Sequence, residues 1–264
     1  MAGYTAKDVA ALRQMTGAGM LDCKNALEEA GGDLDQAAQR LREKGLAGAA
    51  KRSDREASEG AVAVVRSGDA AAVVELRCET DFVAKAEDFV ALADELATLV
   101  ADKGEDAVSE LGDEVDRLRA TLKENISIGR VRRLVAQPGQ VVDTYLHQQA
   151  GRGVNAVAVV LEGGSEELAH ELAVHIAFAK PTYLSRDEVP EDEVAAERAT
   201  LETISRNEGK PEAALEKIVE GRLTGWFKER VLLDQAYVRD EKQSIAQMLG
   251  SARLVSFAQV VVGG

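Results

Sequence analysis

The spacing of apolar side chains changes period along this chain, and each change marks a different kind of structure. Over residues 1–45 the spacing is helical three times. Thr5, with Asp8 three positions on, forms a capping box ahead of Val9 and Leu12, and Thr16-Gly17-Ala18-Gly19 breaks the pattern. Cys23, Ala26, Leu27 and Ala30 share one face of a second helix, which Gly31-Gly32 closes. Asp33 caps a third helix carrying Leu34, Ala37, Ala38 and Leu41, and Gly45 is read as its stop. Three short helices with alanine-rich contacts make a compact unit that is marginal in stability by itself. Residues 46–59 are rich in Ala, Gly and charge, lack a sustained apolar stripe, and read as a linker.

From Gly60 the period drops to that of strands, and one order of elements occurs twice. In residues 60–139 a hairpin, 61–66 and 70–76 around Ser67-Gly68-Asp69, precedes helices through Val100 and from Val115 to Leu122, then a strand over 126–135. Gln137-Pro138-Gly139 marks a boundary. In residues 140–264 strands over 141–146 and 154–161 precede a helix from Glu166 to Ala179, stopped by Pro181, and the half closes with a helix over 244–249 and a strand over 254–262. Between them lies a pair of helices at about 191–229, turned by Gly209-Lys210-Pro211. Val194, Leu201 and Ile204 mark one stripe and Leu215, Ile218, Val219, Leu223 and Trp226 the other, close to heptad spacing. The predicted fold class is α+β: a three-helix module, then a duplicated α/β-layer core with an inserted antiparallel coiled-coil hairpin.

Composition narrows the function classes. With 45% apolar residues in 264 the chain builds an ample core, and with only 4% aromatics that core must come from Val, Leu, Ile and Ala. A formal net charge of −14 opposes the phosphate-neutralising surface that nucleic-acid binders need, so a protein is the expected partner. The basic pair Lys51-Arg52, beside Asp54 and Glu56, reads as solvated. Cys23 and Cys78 lack any metal or redox spacing and read as buried thiols. The amino terminus has no signal-peptide shape and no apolar run is long enough to span a bilayer, so a soluble, cytoplasmic protein is expected.

Three chemistry-bearing patterns fail on inspection. Gly151-Arg152-Gly153-Val154-Asn155-Ala156 matches a dinucleotide fingerprint in letters, but a strand-like run follows where a helix must begin, so a hairpin turn is the better reading. No phosphate-binding P-loop occurs. His170 and His175 are five apart, about 140° round a helix, whereas zinc chelation needs them four apart on one face. No metal, no cofactor and no small-molecule substrate of its own is expected.

The run Glu75-Leu76-Arg77-Cys78-Glu79-Thr80-Asp81-Phe82-Val83-Ala84-Lys85 sits where a strand ends and a helix begins, with a large ring directly after a carboxylate. Phe82 lies seven residues before Phe89, so spacing alone also allows a core or staple residue at the helix start. His147 lies near a hairpin tip, where a lone histidine is solvated unless something docks there.

This run resembles the central motif of the bacterial translation elongation factor Ts family. Leu12-Arg13-Gln14-Met15-Thr16-Gly17-Ala18-Gly19-Met20-Leu21-Asp22-Cys23-Lys24-Asn25-Ala26-Leu27 resembles the amino-terminal motif of that family, in the right order and spacing. Tyr145-Leu146-His147 ahead of Gly151 to Val154, and Gly209-Lys210-Pro211 ahead of Val219-Glu220-Gly221-Arg222, also look like family patterns. The resemblance implies a ubiquitin-associated-like first module and an exchange factor for elongation factor Tu that catalyses no bond chemistry. Thr80, Asp81, Phe82 and Val83 would contact the GTPase near its Mg²⁺ site, with Phe82 as a wedge. Arg13, Met20 and Leu21 would dock on the same GTPase domain, and Leu146 and His147 would press toward its phosphate-binding region. The competing reading is a non-catalytic adaptor or chaperone-like binding protein. Arg77 stands where the family usually has asparagine, and the chain ends at Val260-Val261-Val262-Gly263-Gly264 without the further carboxy-terminal helix of some members.

Overall fold

The computed structural model describes residues 3–50, 52 and 54–264; Met1, Ala2, Lys51 and Ser53 lie outside the described residues, and with them half of the basic pair and the first residues of the amino terminus. The first helices are α1 (Ala6–Thr16), α2 (Met20–Glu29) and α3 (Leu34–Ala50). Thr5 caps α1 through the reciprocal bonds of a capping box with Asp8, and Gly17, with φ 66°, closes it. Leu12, Cys23, Leu27 and Ala37 form the sealed centre of this small unit.

The rest is α+β. Strands β1 (Glu59–Ser67) and β2 (Ala70–Cys78) form a hairpin, followed by the single turn α4 (Asp81–Ala84) and by α5 (Glu87–Lys103). A 3₁₀ stretch over Glu105–Leu111 leads to α6 (Gly112–Leu122), and β3 (Ser127–Val135) returns to pair with β2. The second half repeats this order: hairpin β4 (Gln140–Gln149) and β5 (Arg152–Glu162), helix α7 (Glu166–Ala179), and a returning strand β8 (Arg253–Val261) on β5. Between α7 and β8 the chain inserts α8 (Glu191–Asn207), α9 (Glu212–Arg230), the short strands β6 (Ala236–Tyr237) and β7 (Asp240–Ser244), and α10 (Ile245–Leu249). The two main sheets have orders β1-β2-β3 and β4-β5-β8, antiparallel throughout, each with its hairpin's second strand in the middle.

These sheets pack face to face between two outer layers of helices. Strand β5 shows why its sequence is an unbroken apolar run: Val157, Val159 and Leu161 face the core under α7, while Ala156, Ala158 and Val160 face the other sheet. Strand β2 divides in the same way, with Ala72, Val74 and Leu76 under α5 and Ala71 and Val73 in the seam between the sheets. Both central strands are buried on both faces.

Three local readings of the sequence need correction. Gly45 does not stop α3, which continues to Ala50. A Cβ at Gly45 would lie 2.6 Å from the Cβ of Ala120, so the glycine serves the close crossing of α3 over α6. The segment read as a linker from residue 46 is therefore helical in its first part. Arg52 is half-buried, with a guanidinium nitrogen donating to the Arg119 carbonyl at 3.1 Å, rather than freely solvated. In α8 the seam residue is Ser205, whose hydroxyl donates to the Leu201 carbonyl at 2.7 Å, whereas Ile204 is exposed. The ion pairs Arg198–Glu220 and Arg206–Glu212 join residues whose numbers rise in α8 as they fall in α9, as two antiparallel helices require. Among the described residues no helix is long and apolar enough to cross a membrane.

Candidate functional site

The Thr80–Val83 turn is assembled from groups that leave β2 in a fixed direction. Cys78 ends the strand fully buried, its Sγ 3.2 Å from the Thr80 carbonyl, and burial pushes the thiol up to about 12. Such a thiol is inert. Thr80 then takes extended dihedrals, φ −125° and ψ 152°, and its hydroxyl accepts from the Val83 N–H at 3.4 Å, an N-cap on α4. Within that single turn Ala84 is fully buried and Val83 packs on the core under α5. Phe82 points the other way and is 83% exposed. Asp81 is hydrogen-bonded to Lys85 at 2.5 Å, and that bond holds its carboxyl below the ordinary aspartate value. The core position belongs to Phe89, which is fully buried.

A second cluster lies on the first module. Arg13 of α1 and Met20 and Leu21 of α2 are all exposed, Met20 at 63% and Leu21 at 70%, and line one open, largely apolar groove with Tyr4 and Val9. Uncovered apolar side chains of this size, grouped beside a cation, have the character of an interaction surface.

Leu146 and His147 lie within strand β4 rather than in a free loop, opposite Ala156 and Asn155 of β5. Neighbouring strand residues point to opposite faces, and here they divide accordingly. Leu146 is half-buried against the seam between the sheets, close enough to Gly153 that a Cβ there would meet Leu146 Cδ1 at 2.7 Å. His147 is exposed, on a shallow groove with Tyr145, Asn155 and Phe178. Of the two, His147 alone is displayed.

Residues 79–264 match the family described as Elongation factor TS. The chain belongs to the elongation factor Ts family. It is 47% identical to Elongation factor Ts of Clavibacter michiganensis over 277 residues and 47% identical to that of Renibacterium salmoninarum over 280, in both cases covering the whole of both chains. Elongation factor Ts of Kineococcus radiotolerans is 44% identical over 280 residues, again end to end. The chain thus takes its place among the proteins of translation elongation.

Two residues escape the sequence reading of this elongation factor Ts family member. Phe178 is 77% exposed near the end of α7. Its signal was its position off the helix's buried stripe of Leu172, Ala173 and Ile176, where an aromatic has no core to enter. The other is Glu124, in the segment after α6, which accepts hydrogen bonds from the turn that carries Phe82. Nothing in local spacing announces a partner more than 40 residues away. The two α7 histidines part company, as their spacing requires: His170 meets Asp143 at 2.8 Å near the surface, while His175 is fully buried on Gln235 at 3.0 Å.

Proposed function

We propose that this protein is a guanine-nucleotide exchange factor that binds elongation factor Tu carrying GDP and promotes GDP release during translation elongation. The observation that carries this reading is Phe82: a phenylalanine displayed to solvent at 83% on a turn whose neighbours are anchored in the core. Such a ring gains by entering an apolar site on another protein. In this mechanism Phe82 wedges between apolar groups beside the GTPase's Mg²⁺ site, with Thr80, Asp81 and Val83 holding the wedge in register. Disturbing the Mg²⁺ shell weakens the hold of the largest local charge on the diphosphate. Arg13, Met20 and Leu21 dock on the same GTPase domain. His147, backed by Leu146, presses toward its phosphate-binding region.

No covalent chemistry is required of the factor. By linkage, factor and GDP each weaken the other's binding by the same ratio, and GTP binding releases the factor for another round. In the same reading the three-helix module is ubiquitin-associated-like, α8 and α9 form an antiparallel coiled coil, and the protein acts in the cytoplasm without nucleic acid, cofactor or small-molecule substrate of its own. The test is release of labelled GDP from elongation factor Tu on addition of substoichiometric protein. Acceleration supports exchange; tight binding without acceleration replaces it with the adaptor reading.

A further inference from the structure

A one-turn helix cannot hold its own direction. Nucleating a helical turn fixes several dihedrals for one hydrogen bond, so an isolated turn is unstable in water. Helix α4 has four residues, and its orientation must come from outside it. The core supplies one anchor, through Val83 and Ala84. The other lies at its amino-terminal end, on a segment distant in sequence. One carboxylate oxygen of Glu124 accepts from the backbone N–H of Glu79 at 3.0 Å and of Thr80 at 3.1 Å. Its other oxygen accepts from the Thr80 hydroxyl at 2.5 Å. Glu79 returns the contact, its own carboxylate accepting from the Asn125 N–H at 2.7 Å. The residue before Glu124, Lys123, has φ 59° at the end of α6, which turns the chain so that Glu124 meets the Glu79–Thr80 backbone.

We propose that Glu124 is a positioning residue for exchange: it fixes the Thr80 cap and, through it, the direction in which Phe82 projects. This rests on the reading of Phe82 as the wedge. Only a carboxylate of glutamate length meets all three donors. Glutamine offers one oxygen and turns an amide toward the Thr80 hydroxyl, which must then accept as well as serve Val83. Aspartate is one methylene short. Hydrogen bonds to an ionised acceptor are the stronger kind, so the hold is firm where a neutral one would slacken.

The test uses the full chain in two arms. In the free protein, amide hydrogen exchange at Glu79 and Thr80 is expected to accelerate about tenfold or more in Glu124→Ala, and less in Glu124→Gln, with the amides of β5 unchanged. In catalysed GDP release, Glu124→Ala is expected to be about tenfold slower, with Glu124→Gln partly restored, and Phe82→Ala/Glu124→Ala no slower than Phe82→Ala. Should Glu124→Ala fail to fold, the Gln variant carries both arms. Unchanged protection at Glu79 and Thr80, or a double variant slowed by the product of the single effects, overturns the proposal. A slow Phe82→Ala beside a wild-type Glu124→Ala overturns it alone. A wild-type rate for Phe82→Ala overturns the wedge reading, and the role of Glu124 in exchange with it.

Discussion

Phe82 and Phe89 are the same side chain seven residues apart, and the structure assigns them opposite environments. Replacing each by alanine should separate stability from activity. Phe89→Ala removes a fully buried ring from the core under α5 and is expected to cost about 3–5 kcal/mol. Phe82→Ala removes a ring already in water and should change stability by no more than about 0.5 kcal/mol. It should instead slow GDP release by about 30-fold, the loss expected of a hot-spot aromatic worth about 2 kcal/mol. Urea denaturation and nucleotide release measured on both variants decide the matter; a large fall in denaturation midpoint for Phe82→Ala with normal release per folded molecule would return it to the core. Sequence spacing could not tell the two apart because it assumed one helix. Helix α4 ends at Ala84, and Ala86, with ψ 136°, caps a new one, so the seven-residue interval crosses a break. The motif residues were legible; spacing left open which of them faced water, and the family resemblance alone pointed to Phe82.

Among the elements, helix existence was read well and helix ends less so. Gly17 and Gly31, both with positive φ, close helices as glycines at such positions do. Gly45 carries the same letter but lies inside α3, where the absent Cβ admits Ala120 of α6. A stop and a crossing are indistinguishable until the second helix is in view, and α6 lies more than 60 residues further on. An exposed Gly→Ala change inside a helix should gain about 1 kcal/mol from propensity. Here the new methyl would sit 2.6 Å from another, so Gly45→Ala is expected to lower stability by about 1–2 kcal/mol, measurable by calorimetry. Arg42–Asp113, an ion pair across the same junction, is exposed and contributes little by comparison. A stabilised Gly45→Ala would show that the two helices separate freely.

At the scale of the molecule, the unexpected feature is a carboxylate sealed between the layers. Glu75 of β2 is fully buried, 2.9 Å from Arg77 and 3.3 Å from Arg130, and Arg130 in turn donates to the Val261 carbonyl of β8. This chain of contacts ties one sheet to the other. Burial alone would raise the Glu75 carboxyl, but the hydrogen bonds from Arg77 and Arg130 outweigh it and hold it below the ordinary glutamate value. A depressed value means that Glu75 contributes stability above the unfolded value of about 4.3, and that this contribution is lost as pH falls through the lower folded value. Glu75→Gln should therefore cost about 1–2 kcal/mol at neutral pH, moderated because both arginines reach solvent, and should flatten the acid limb of stability against pH. Urea midpoints between neutrality and about pH 2 would show it; parallel curves for the two proteins would exclude it. A strand pattern reads Glu75 as one more alternating position, since Arg130 comes to it from β3 and the carbonyl that receives Arg130 lies at the end of the chain.

The seam between the sheets holds Ala71, Ala136, Ala156 and Ala158 among valines, and Gly153 passes so near Val62 that a methyl there would lie 2.1 Å from its carbonyl oxygen. So thin a layer leaves no slack. A larger side chain on β5 is tolerable only if β1 or β2 gives up equal volume, and the reverse. Descendants of this sequence are therefore bound to change the two halves in matched pairs, so that the record of their divergence would show the halves drifting together even where no residue of the partner-facing surface is involved.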